Sequence, residues 1–173
     1  TVQNISGGRL ILGLGAGASP TSTFAAEQRA LGIDIPRTVH ERHAKLVRTL
    51  DALDEIWSPT RDEKFATFEM PCKLPPRIIG VNSTALAKVA GMRTDGVNIR
   101  SSHPQRAEIL RVARDAATAT GKSDFIVSVW DWFDEALLDP ASAVCKELAS
   151  EGVNKIILLM RGVPDAKRLA VKR

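Results

Sequence analysis

Arg77-Ile-Ile-Gly-Val-Asn82, then Ser83-Thr84 opening a segment from Ala85 to Arg93, then Gly96-Val-Asn-Ile-Arg100: the reading of this stretch decides the fold. Two near-continuous apolar runs of strand length flank one segment of helix length. Runs without a strict apolar–polar alternation are typical of strands covered on both faces, which is the condition of a parallel sheet. A strand–helix–strand unit with parallel strands closes by a right-handed crossover. The same rhythm recurs on either side. Arg9-Leu-Ile-Leu-Gly-Leu14 follows the Ser6-Gly7-Gly8 turn, and Phe125-Ile-Val-Ser-Val-Trp130 and Lys155-Ile-Ile-Leu-Leu-Met160 lie downstream. The sequence thus predicts an α/β fold with five parallel strands in sequential order.

Between the strands, helices announce their starts. Thr38-x-x-Glu41 is a capping box, followed by an apolar stripe of Val39, Leu46, Val47, Leu50, Leu53 and Trp57. Ser102-x-x-Gln105, with Pro104 in the first turn, predicts a helix running to about Thr120. Asp139-Pro140 predicts another, with Val144 and Leu148 facing inward, and Gly121 and Gly152 fall where helices should stop. The connection 18–76 breaks the rhythm: it carries one predicted helix between two irregular stretches, and 58–76, rich in proline and charge, reads as a mobile loop.

At 173 residues the chain has the size of a single domain, 1–173, with one ordinary core. Its apolar fraction of 44% and charged fraction of 25% are those of a globular protein. No apolar run approaches the roughly 20 residues that span a bilayer, and Thr1 to Gly8 lacks the charge pattern of a secretory leader. A cytoplasmic location is expected. Cys72 and Cys145 stand alone, without the spacing of a zinc site or a disulfide framework. No metal site is expected. The net charge of +4 gathers at Lys167, Arg168, Lys172 and Arg173 without interleaved aromatic residues, which argues for a solvated helical face and against nucleic-acid binding.

Candidate chemistry sits at strand ends. Gly13-Leu-Gly-Ala-Gly17 has neither dinucleotide-loop nor P-loop spacing. It is open to two readings: a strand end bare enough for helices to pack closely, or a backbone surface on which a flat ring or ribityl chain can lie. At Asn82, Ser83 and Thr84 a strand ends and a helix opens, so free N–H groups and hydroxyls could hold a phosphate. On the residues alone, an ordinary N-cap by Asn82 or Ser83 is the stronger reading. Arg100-Ser-Ser-His103, Trp130-Asp131 and Arg161-Gly162 follow the later strands, where barrel enzymes place their sites. His103 has no visible acid to orient it, and His40 and His43 fall within the capped helix as surface or packing residues.

The order of these motifs resembles the bacterial luciferase-like monooxygenases, in particular their methylene-tetrahydromethanopterin reductase-like branch. Ser6 to Gly17 looks like the family's fourth strand, and Ala30-Leu-Gly-Ile33 precedes an Arg-rich helix ending in Leu53-x-x-Ile56-Trp57. Pro75 to Ser83 looks like the fifth strand with its phosphate turn, and Thr94-Asp-Gly-Val-Asn98 like the sixth. The resemblance implies part of a TIM-type (β/α) barrel, the later strands of eight, that binds coenzyme F420 or FMN and moves hydride to a small organic substrate. It implies ring and ribityl contacts at Gly15, Ala16 and Gly17, and phosphate contacts at Asn82, Ser83 and Thr84. Strands one to three of the family, with its usual acid and base residues, have no counterpart here, so the catalytic residues are unknown. Five strands cannot close an eight-stranded barrel. The exposed strand edges predict a homodimer. A non-catalytic flavin-binding partner is the alternative reading.

Overall fold

A computed structural model of the chain describes residues 2–162. The basic stretch from Lys167 to Arg173 lies outside the described residues. Five strands form one sheet in the order β1-β2-β3-β4-β5, the sequential order expected. They are β1 (Leu12–Leu14), β2 (Arg77–Gly80), β3 (Gly96–Arg100), β4 (Ile126–Trp132) and β5 (Lys155–Leu159). Pairing is parallel for β2 with β3, β3 with β4 and β4 with β5. The chain groups into two compact units, Thr1–Arg77 and Ile78–Arg173.

In the first unit, β1 is shorter than the run Arg9–Leu14 predicted. Its N-terminal half is held by a turn instead of a ladder. The Leu10 N–H donates to Gln3 Oε1 (2.9 Å), and Arg9 Nε donates to the Ser6 carbonyl (2.8 Å). Within β1 the Leu12 N–H donates to the Pro76 carbonyl at 2.8 Å. A short helix α1 (Val2–Ile5) presents Gln3 and Asn4 to the segment before β2. Gln3 Nε2 donates to the Lys73 carbonyl (2.7 Å), and the Cys72 N–H donates to Asn4 Oδ1 (2.6 Å). The long connection carries a short helix α2 (Ala26–Ala30) that its sequence did not announce, and then α3 (Val39–Ile56). The predicted capping box opens α3: the Glu41 N–H donates to Thr38 Oγ1 (3.1 Å), and the Thr38 N–H donates to Glu41 Oε2 (2.9 Å). Leu46 and Leu50 are its buried residues. Val39, expected in the same stripe, is exposed at the first position of α3.

In the second unit, Ile79 of β2, Val97 and Ile99 of β3, and Val127 and Val129 of β4 are apolar and buried, as is Val81 just after β2. Strand alternation puts them on one face. With Leu86, Ala87 and Ala90 of α4 (Thr84–Arg93) and Ile109, Leu110 and Ala113 of α5 (Arg106–Ala119) they make the core. The helix starts correct the sequence reading in two places. No side chain caps α5, which begins at Arg106. The residue before a proline avoids helical backbone, so His103, ahead of Pro104, cannot lie in a first turn. The Gln105 N–H bonds His103 Nδ1 (3.2 Å) instead of being drawn into a box with Ser102. Likewise Asp139 bonds the Ala141 N–H in a turn (2.8 Å), and α6 (Ala143–Ser150) starts later, capped by Ser142. Leu148 is buried as expected and Val144 half-buried. Gly121 (φ 74°) and Gly152 (φ 81°) end α5 and α6 as expected.

Candidate functional site

Beyond β1 the backbone of Gly15, Ala16 and Gly17 lines a cavity of about 140 Å³, shared with Asp34, Arg42 and Lys45 among others. A Cβ built on Gly13, Gly15 or Gly17 would meet nothing within 4 Å. Close helix packing therefore does not account for these glycines. Gly17 also turns with φ 78°, which a side chain would oppose. Two cations face this cavity. Arg42 donates to the Arg37 carbonyl (2.9 Å) and Lys45 to the Asp34 carbonyl (3.4 Å). Neither has a carboxylate partner among the described residues, so the cavity wall keeps net positive charge. Its volume is below the roughly 300 Å³ at which pockets enclose whole cofactors.

At the end of β2, Ser83 caps α4, its Oγ accepting the Leu86 N–H at 3.4 Å. That is the capping reading realised for Ser83. Asn82 and Thr84 do not share it. Both are exposed, with side chains that make no hydrogen bond to a described residue. The amides of Thr84 and Ala85 open the helix, where N–H groups lack intrahelical partners. The turn thus offers two unfilled side chains and two unfilled amides to an anion, and a phosphate fits that donor set.

The ends of β3 and β4 hold a network that the sequence did not reveal. Ser101 Oγ donates to Asp131 Oδ2, while Asp131 Oδ1 accepts the Trp132 N–H at 2.7 Å. The Ser101 carbonyl accepts from Arg106 Nη1. Arg106 also grips Glu151 through Nε and Nη2, both at 2.7 Å, and reaches Glu147 at 2.6 Å. The Glu151 hydrogen bonds, then Glu147, hold the guanidinium well above its usual range against the opposing effect of burial. Two carboxylates at the end of α6 would otherwise meet its negative dipole end. The Glu147–Glu151 spacing, four apart on one helix, was the available sequence signal. Their partner, at the start of α5 and separated from α6 by β4, was not legible. His103 is half-buried and spent on the turn, with no carboxylate against it among the described residues.

On the opposite face of the sheet, Arg100 lies over the Trp130 ring at 5.5 Å, and Arg161 over the Trp132 ring at 4.5 Å. Register explains the first pair, since Arg100 is directly opposite Trp130. Trp132 is opposite Leu159, two residues before Arg161.

No family profile matches the chain. Its backbone does match solved structures. An F420-dependent secondary alcohol dehydrogenase, solved with an F420–acetone adduct, is similar at a TM-score of 0.72 and 17% identity, over 99% of this chain and 70% of that one. The fold is a partial TIM-type (β/α) barrel. A coenzyme F420-dependent tetrahydromethanopterin reductase from Methanopyrus kandleri is similar at a TM-score of 0.59 and 15% identity, over 97% of this chain and 73% of that one. At such identities it is the fold that is shared. In the partial barrel, Asn82 to Thr84, Arg100, Ser101, Trp132 and Arg161 all stand at or beyond the C-terminal ends of strands, the end where barrel enzymes carry their chemistry. Among the described residues, no three of His, Cys, Asp and Glu are grouped to hold a metal ion, and no helix is long and apolar enough to cross a membrane. Cys72 and Cys145 are free thiols.

Proposed function

We propose that the chain is the cofactor-binding part of a coenzyme F420-dependent oxidoreductase acting on a small organic substrate. The observation that carries this reading is the unfilled donor set of Asn82, Thr84 and the first amides of α4, at the strand end where the family resemblance implies a phosphate. The open backbone at Gly15 to Gly17 supports it, since a flat ring or ribityl chain meets no side chain there. F420 is favoured over FMN because the two structurally similar enzymes named above are both F420-dependent.

In this reading Gly15, Ala16 and Gly17 orient the ring and ribityl portion, and Asn82, Ser83 and Thr84 hold the phosphate. When bound, the cofactor supplies hydride chemistry, and the protein supplies orientation and electrostatics. Arg42 and Lys45 add positive charge beside Gly15 to Gly17, which favours a ligand that carries or develops negative charge.

Titration of the protein with F420 and with FMN tests the reading. Thr84→Ala with Asn82→Ala should weaken F420 binding about tenfold or more, the worth of one charge-assisted hydrogen bond. Ser83→Ala should do the same but also destabilise α4, because Ser83 caps it. Unchanged F420 affinity in the Asn82–Thr84 variant would defeat the phosphate assignment. Cofactor binding without turnover in the presence of any reducible substrate would favour the non-catalytic alternative.

A further inference from the structure

Among the described residues of the second unit, two pairs of arginines contrast. Arg106 and Arg111 are tied to carboxylates, Arg111 to Glu108 and Asp115. Arg100 and Arg161 have no carboxylate partner among the described residues. Both are exposed, and each is laid on an indole. A guanidinium stacked on a ring keeps its in-plane N–H donors pointing outward while its rotamers are restricted. That is the preorganised fork that grips a carboxylate in two parallel hydrogen bonds.

The surface beneath is apolar. Trp130 and Trp132 share one face of β4, and register sets Ile157 opposite Trp130 and Leu159 opposite Trp132. Trp132, Ile157 and Leu159 are 42%, 36% and 39% exposed. Ordinary soluble proteins rarely leave contiguous apolar side chains of this size open without using them. The nearest acid in sequence, Asp131, is committed to Ser101 and to the Trp132 amide on the other face. The face therefore combines an apolar floor with two cations whose donors are unfilled.

We propose that Arg100 and Arg161, seated on Trp130 and Trp132, form a binding site for an organic carboxylate with a flat apolar body. The carboxylate lies against one or both guanidiniums, and the body covers Ile157 and Leu159. This goes beyond the cofactor reading and does not depend on it, since none of these residues belongs to the proposed phosphate turn or the glycine surface.

Benzoate is a suitable probe, with acetate lacking the apolar body and benzamide lacking the charge. In Trp57→Phe protein only Trp130 and Trp132 fluoresce, because the chain has three tryptophans. Benzoate should change that fluorescence saturably, and acetate and benzamide should bind more weakly. Arg100→Gln and Arg161→Gln should each weaken benzoate about tenfold, the worth of one charge-assisted pair, while Arg111→Gln should have no effect. The proposal is overturned if benzoate gives no saturable change, if benzamide or acetate binds as tightly, or if both Arg→Gln variants bind benzoate unchanged. F420 titration of the same Arg→Gln proteins separates the two readings, because cofactor affinity should be preserved in them.

Discussion

A Cβ placed on Gly91 of α4 would stand 2.3 Å from the Ala113 carbonyl oxygen of α5, so the two helices come together backbone to backbone only because residue 91 has no side chain. The same imaginary atom would lie 2.7 Å from the Ala116 Cβ. Alanine gains about 1 kcal/mol over glycine in a helix interior, but a backbone oxygen cannot yield as a flexible side chain does. Overpacking costs about 1–3 kcal/mol and more where backbone must shift. Gly91→Ala should therefore destabilise the protein by about 2 kcal/mol net, read as a lower urea midpoint. A midpoint equal to or above the parent's would show that α4 and α5 part at no cost.

Arg106 should be the most sensitive charged position. Its side chain is 15% exposed and that of Glu151 14%, whereas Glu147 is 62% exposed. Arg106→Gln strands the Glu151 carboxylate and leaves the Ser101 carbonyl without its donor. Removing one partner of a largely buried pair costs about 3 kcal/mol. Glu147→Gln, at the solvent-facing arm, should cost less than about 0.5 kcal/mol. Urea unfolding of the two variants checks the contrast, and comparable losses would refute it.

Thr38→Ala removes the hydroxyl that accepts the Glu41 N–H, and should cost about 1 kcal/mol. Glu41 itself is held below the usual carboxylate range, first by the Thr38 backbone N–H and then by the Thr38 hydroxyl. NMR titration of Glu41 in Thr38→Ala should show its pKa rising towards the ordinary value. The backbone N–H of residue 38 persists in this variant, so a Glu41 pKa that stays put would mean that the Thr38 hydroxyl does not help to lower it.

Stability should depend on pH through His43. Burial, then the Arg42 charge, then His40, lower its pKa in the folded state. Between that lowered value and the ordinary one near 6.5, the unfolded chain binds the extra proton, so stability rises with pH there. The contribution is complete above the ordinary histidine value and is lost as pH falls through the folded one. Unfolding midpoints from pH 8 down to 5 should decline less steeply in His43→Gln than in the parent. Parallel curves would remove His43 from the account.

The outer edge of β5 is paired with nothing among the described residues. Ile156 to Leu159 carry no charge that would discourage a further strand. A second copy of the chain is expected to cover such an edge as a twofold dimer. Light scattering at micromolar concentration should give twice the mass of one chain, and a stable monomer would count against the dimer.

Strand positions were legible because burial on both faces leaves a near-continuous apolar run, as at Ile78-Ile79 and in Phe125 to Trp130, where Ser128 is the one polar residue. Helix ends at Gly121 and Gly152 were legible because a positive φ selects glycine. Helix starts were less so. Ser102 and Asp139 are good caps by type, but Pro104 and Pro140 fix a turn between them and the helix that follows. Contacts such as Arg100 with Trp130 depend on strand register, and that of Arg106 with Glu151 on helix packing. Neither quantity is encoded within reach of the residues concerned. The roles of Asn82 and Ser83 looked interchangeable in sequence. They separated only when Ser83 was seen to take the cap.

The parity of β4 has an evolutionary consequence. Val127 and Val129 face the helices, whereas Trp130 and Trp132 share the other side with Arg100 and Arg161. Adjacent codons in one short strand therefore answer to different selective demands. Drift at residues 130 and 132 can explore new ligands while the fold stays intact, and drift at 127 and 129 cannot. A saturation-mutagenesis scan along β4 that separates abundance from ligand binding should show two tolerance profiles alternating every second residue. The strand would then be a place where specificity can change by single substitutions, without the compensating mutations that a change in the core demands.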